Sequence, residues 1–137
     1  MKPKEHVIPV LEAAHGVLMA TEWRPVRSDP KKYPQGMSLV EAVSLASRIY
    51  AENLEAALTE KDVWHRPVEE QVWHFIDTAC DELVATIRPP RKGDNRFNAI
   101  EHFSALPTTT HEKVLKLIAD TIRRCAFASP APATALT

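Results

Sequence analysis

The sequence predicts an all-α fold, on three observations. Apolar residues recur at helical spacing in four long stretches, the eleven prolines gather mainly between those stretches, and two Ser/Thr-x-x-Glu boxes mark helix starts. The expected architecture is a compact bundle of four main helices plus a short helix, joined by long Pro-rich loops. Residues 1–128 are read as a single helical domain and residues 129–137 as a disordered C-terminal tail of small residues and prolines.

The first helix is expected from about Glu5 to Ala20. Val7, Val10, Ala14 and Val17 repeat on one face, Leu11 and Leu18 widen it, and Pro9 falls in the first turn, where a missing amide costs little. A loop follows from Glu22 to Met37, broken by Pro25, Pro30 and Pro34. The second helix opens at a capping box, Ser38 with Glu41. Its apolar stripe is Leu39, Ala42, Val43, Ala46, Ile49, Tyr50, Leu54 and Ala57, with Glu41, Ser44, Arg48, Glu52 and Glu55 turned to water.

The third helix should start near Pro67 and stop before Pro89-Pro90. Val68, Val72, Phe75, Ile76, Ala79, Leu83 and Ile87 form its core stripe. Trp73, Cys80 and Val84 broaden that arc to roughly half the circumference, wider than one neighbour covers. This helix is therefore either central to the bundle or buried against another subunit. A second polar loop spans 88–96, and a short helix is expected around Phe97 to Leu106. The last helix starts at Thr109 or Thr110, with Thr109 and Glu112 as its capping box. Val114, Leu115, Leu117, Ile118, Ile122 and Cys125 face inward, Glu112 pairs with Lys116, and Arg123 and Arg124 complement the C-terminal dipole.

Composition bounds the function. The chain has 137 residues, 45% of them apolar, and 17 basic residues face 18 acidic ones for a net charge of -1. That balance disfavours a general nucleic-acid or membrane-surface binder, which carries a basic excess. Cys80 and Cys125 stand in no closely spaced motif and read as buried reduced thiols. No stretch reaches the length of a membrane span, and the first residues lack the pattern of a signal peptide, so a cytoplasmic protein is expected.

The candidate chemistry is thin. Glu70, His74, Asp77 and Asp81 follow one ridge of the third helix at steps of four, three and four. Such a ridge would hold a divalent metal or orient a histidine for proton transfer, but a solvated helix face collects the same residues. His15 reads as a packed edge histidine, while His6 and His65 stand without an evident partner. Nucleophile elbows, phosphate-cradling glycine loops and Cys-x-x-Cys motifs are all missing, and no cofactor is expected.

Two loops are locally basic and aromatic: Trp23, Arg24, Arg27, Lys31, Lys32 and Tyr33 in one, Arg88, Arg91, Lys92, Arg96 and Phe97 in the other. Side by side they would grip phosphates and stack bases. The same residue types suit a protein partner, because Trp, Tyr and Arg dominate interface hot spots. On that reading Trp23, Arg24, Trp64, Arg66 and Trp73 are the interaction candidates.

The stretch Phe97-Asn98 followed by Thr108-Thr109-Thr110-His111-Glu112-Lys113-Val114-Leu115 resembles an uncharacterised family of small helical bacterial and phage proteins. There an aromatic-Asn segment precedes a Thr-initiated amphipathic helix with an acidic first turn. Ala99 stands where that family carries an aspartate. The resemblance covers about a quarter of the chain and implies a helical fold and an origin in a mobile element.

The leading expectation is a non-enzymatic interaction or regulatory protein that self-associates, as a homodimer, through the third helix. The alternatives are a metal-dependent enzyme built on the Glu70–Asp81 ridge and nucleic-acid binding through the basic loops. No membrane partner is expected.

Overall fold

The computed structural model describes residues 6–24, 36–57, 68–89 and 95–127. Among these described residues, five helices run α1 (Val7–Ala20), α2 (Leu39–Ala57), α3 (Val68–Ile87), α4 (Arg96–Ala105) and α5 (His111–Phe127). Between α1 and α2 lie two short strands, β1 (Glu22–Trp23) and β2 (Gly36–Met37). The all-α expectation therefore holds, with one small addition. β1 and β2 pair in parallel, Trp23 opposite Met37, and the Arg24 amide donates to the Met37 carbonyl at 3.1 Å. Two-residue strands carry no alternation, so this pairing leaves no periodic trace in the sequence. The expected tail at 129–137 lies outside the described residues.

Local chemistry explains most helix ends. Pro9 sits at the third position of α1, where its missing amide would have had no intrahelical acceptor. The helix closes on Thr21, whose amide (3.0 Å) and hydroxyl (2.8 Å) both donate to the Val17 carbonyl. At α2 the Ser38–Glu41 box is formed as expected: the Glu41 amide donates to Ser38 Oγ (3.1 Å) and the Ser38 amide to Glu41 Oε1 (2.9 Å). Asn95 caps α4 by accepting from the amides of Phe97 and Asn98. At α5 the cap is Thr110, which accepts from the Lys113 amide at 3.3 Å. Thr109 instead turns back to donate to the Phe103 carbonyl, so the expected Thr109–Glu112 box does not form. Lys116 likewise pairs with Asp120 (2.7 Å), one turn onward, where Arg123 also binds.

α3 packs on all four other helices, and α1 packs on α2, α3 and α5. The core is the merged apolar faces: Val10, Leu11, Ala14 and Leu18 of α1, Val43 and Ala46 of α2, Ile76, Ala79 and Leu83 of α3, Val114 and Ile118 of α5. Cys80 and Val84, two residues of the broadened arc on α3, are buried here. Burial, with the charges of Asp77 and Asp81, pushes the Cys80 thiol up to about 12.

Long-range polar contacts lock the packing. His6 is buried, its Nδ1 3.0 Å from the Tyr50 hydroxyl and its ring against Phe75, so the expectation of an unpartnered His6 is corrected. The pairing spans 44 residues and is invisible to local pattern. His111 Nε2 donates to the Leu18 carbonyl at 2.8 Å, tying the start of α5 to the end of α1. No helix among the described residues is long and apolar enough to cross a membrane.

Candidate functional site

The most distinctive surface lies along the outward side of α2 and the adjoining turns of α3. An apolar side chain left in water gains nothing for folding, so exposed large ones are informative when they cluster. Ile49 is 42% exposed although it was expected in the core stripe, Leu45 is 39% exposed, and Trp73 on α3 is 60% exposed. Ile49 stands at the margin of the α2 stripe, and neither α1 nor α3 closes over it.

A salt bridge sets the relation between the two helices. Arg48 reaches Glu69 through two bonds, Nη1 to Oε1 (2.9 Å) and Nη2 to Oε2 (3.0 Å). Leu45 lies three residues before Arg48 and Trp73 four after Glu69, so each stands one turn along its helix on the side the bridge marks. α2 and α3 also pack with Tyr50 against Phe75. The bidentate contact holds the Glu69 carboxyl below its usual range and raises the Arg48 guanidinium.

Near the start of α2, Arg24 is anchored by donating Nε to the Gly36 carbonyl (3.0 Å) and Nη2 to Glu41 (2.9 Å). The short β1–β2 pair thus carries Arg24 onto the start of α2. Beside it runs a groove of about 710 Å³ between α2 and α4, lined among others by Met37, Val40, Leu45 and Phe97. On α2, Leu45 thus lies between the residues of two matched ion pairs, Arg24–Glu41 and Arg48–Glu69. An apolar centre with a charge-balanced polar border is the anatomy of a protein interface.

The structure separates the interaction candidates. Trp73 is exposed on α3, and Arg24 is anchored at the start of α2 beside the groove. Trp23 is only 6% exposed and packs into the core, so its area is spent inside the fold. Trp64 and Arg66 lie outside the described residues. Sequence reasoning missed Leu45 and the groove position of Phe97. The available signal was a lone leucine on the polar side of α2, between Ser44 and Arg48.

The acidic ridge of α3 meets a cation of the chain itself. Arg96, at the start of α4, donates to both Asp81 oxygens (2.6 and 3.1 Å) and stands 3.5 Å from Asp77. Its guanidinium supplies the positive charge a metal would have brought, and the two carboxylates raise it further. Glu70 is exposed and His74 half-buried, and among the described residues no three His, Cys, Asp or Glu side chains are grouped to hold a metal ion. Of the basic loops, Arg24 and Arg96 are taken up in these ion pairs, while Arg27, Lys31, Lys32, Tyr33, Arg91 and Lys92 lie outside the described residues.

Compared with family models, curated proteins and solved structures, the chain matches none of them.

Proposed function

We propose that this chain is a non-enzymatic interaction or regulatory protein that self-associates through the face carrying Trp73. The observation that carries this reading is the exposure of Trp73, on a helix whose other flanks are covered by four neighbours. A tryptophan buries more area per lost rotamer than any other side chain, which makes its retention in water costly and its burial against a partner rewarding. The border supports a second copy of the chain as the partner. Each ion pair presents one charge of either sign, so a two-fold related copy meets its own complement rather than a field of like charge.

On this reading the protein is a cytoplasmic homodimer, and the helix-start resemblance of its C-terminal third points to an origin in a bacterial or phage mobile element. The helices assemble as a bundle whose α2–α3 edge is completed by the partner. The test is light scattering over a concentration series on the full chain and on Trp73→Ala and Trp73→Glu. Because Trp73 is exposed, both variants should keep the helical circular dichroism of the parent. The parent should approach twice the monomer mass, and Trp73→Glu should remain monomeric. A parent that stays monomeric at every concentration, or a folded Trp73→Glu that still dimerises, removes the proposal.

A further inference from the structure

Trp73 stands on a stretch of α3 rich in carboxylates. Residues three and four apart share a face of a helix, so Glu69 and Glu70 flank Trp73 on one side and Asp77 on the other. Glu69 and Glu70 are exposed, Asp77 is half-buried, and Asp81 is exposed one turn further on. The exposed indole therefore sits among groups of a single sign.

The neighbouring cations answer only part of that charge. Arg48 is committed to Glu69 by two hydrogen bonds. Arg96 binds both oxygens of Asp81 and stands 3.5 Å from Asp77, one guanidinium between two carboxylates. Among the described residues no cation pairs with Glu70. On α2, exposed Glu52 follows Arg48 by one turn, near enough for its charge to act on that guanidinium. The described residues of this edge thus carry Glu52, Glu69, Glu70, Asp77 and Asp81 against Arg48 and Arg96, an excess of three negative charges.

That excess has a consequence for a second copy. The Arg48–Glu69 bridge is balanced in itself, but the charge beyond it is not. A two-fold axis through the Trp73 face brings the same patch up to itself, so the unanswered carboxylates approach their own kind. Like charges juxtaposed across an interface oppose association, whereas burial of the indole favours it. Salt screens the first effect and leaves the second in place. We propose that self-association through the Trp73 face is promoted by ionic strength, the acidic excess holding copies apart at low salt and Glu70 supplying a large share of the repulsion. The inference rests on the self-association reading above and adds its regulation. A contact held by opposite charges responds the other way, weakening as salt rises, so the sign of the response identifies the cause.

The test is light scattering on the full chain over a concentration series, at about 0.01 M and about 1 M sodium chloride, where the screening length is about 30 Å and about 3 Å. The dimer dissociation constant should fall about tenfold or more between the two, roughly one charged contact's worth of affinity. Glu70→Gln should tighten the dimer at low salt and shrink the salt response, and Glu52→Gln should act in the same direction. Glu112→Gln, an equal change of net charge at the start of α5, should leave both unchanged. A dimer whose affinity is indifferent to salt, or falls with it, overturns this inference and leaves self-association standing. A folded Glu70→Gln with the parental affinity and salt response also overturns it. A chain that stays monomeric at both salt concentrations removes the self-association reading and this inference together.

Discussion

Glu82 of α3 and Arg124 of α5 meet at 2.7 Å across a helix interface that leaves only 11% of the Glu82 side chain exposed. The same guanidinium also donates to the Glu82 carbonyl (2.8 Å) and to Thr86 Oγ1 (3.2 Å), whose hydroxyl lies 2.8 Å from that of Thr121. The Cys125 thiol approaches the same carboxylate at 3.7 Å. One arginine thus pins the C-terminal half of α5 to α3 at three points. Arg124→Ala should cost about 2 kcal/mol, because it removes charged hydrogen bonds and leaves a nearly buried carboxylate without its closest cation. Arg124→Lys should recover little, since an ammonium lacks the planar fork. Urea unfolding followed by circular dichroism checks both. A loss below a few tenths of a kcal/mol would mean that this contact is not a latch.

Gly16 stands in the middle of α1 on an exposed face, and a Cβ added there would meet nothing within 4 Å. Its only effect on folding is the extra freedom of the unfolded chain and the missing helix propensity. Gly16→Ala should therefore stabilise by about 0.5–1 kcal/mol and raise the midpoint of thermal unfolding by about 2–4 °C. A decrease would show that this face of α1 is covered in the assembled protein.

Cys80 should be inert. With its pKa raised to about 12 by burial, roughly one molecule in ten thousand carries the thiolate at pH 8. An aromatic disulfide reagent at that pH should leave Cys80 unmodified in the native protein and label it promptly in denaturant. Native labelling at Cys80 would place the α3 interior within reach of solvent.

The Arg48–Glu69 bridge predicts an acid response with a definite sign. Glu69 titrates below its ordinary value near 4.5 in the folded protein, so the unfolded chain takes up the proton first as pH falls. The contribution is complete above the ordinary carboxylate range and is lost as pH drops through the depressed folded value. Arg48→Ala should return the Glu69 midpoint toward 4.5 in a carbon-detected titration, and added salt should narrow the difference because both groups are exposed. A midpoint that does not move with Arg48 would show that the bridge is absent in solution.

The residues that were legible in advance share one property: their information is local. The Ser38–Glu41 box, the Pro9 first turn and the apolar repeats of α1, α2, α3 and α5 all act over four residues or fewer, the range over which a helix places side chains side by side. Where two local solutions competed, the pattern stopped short. Thr109 and Thr110 offer the same hydroxyl one residue apart, and only the chain path after Leu106 assigns Thr110 to the cap and Thr109 to the Phe103 carbonyl.

The candidate sites fall on the other side of that line. Trp23 and Trp73 are identical side chains, yet one is 6% exposed and the other 60%. The difference lies in what packs over them: α1 and α5 lie beside β1, while Trp73 stands on a side of α3 that its neighbours leave largely open. Asp77 and Asp81 read as a vacant acidic ridge until α4 brings Arg96 to within 2.6 Å of Asp81. By itself the sequence determined that the chain is helical and where its apolar faces run, because helix formation and capping are decided within a turn. Tertiary structure alone decided which tryptophan is surface and which carboxylates are answered. Those depend on contacts between residues from 15 to 93 positions apart, for which no local period exists.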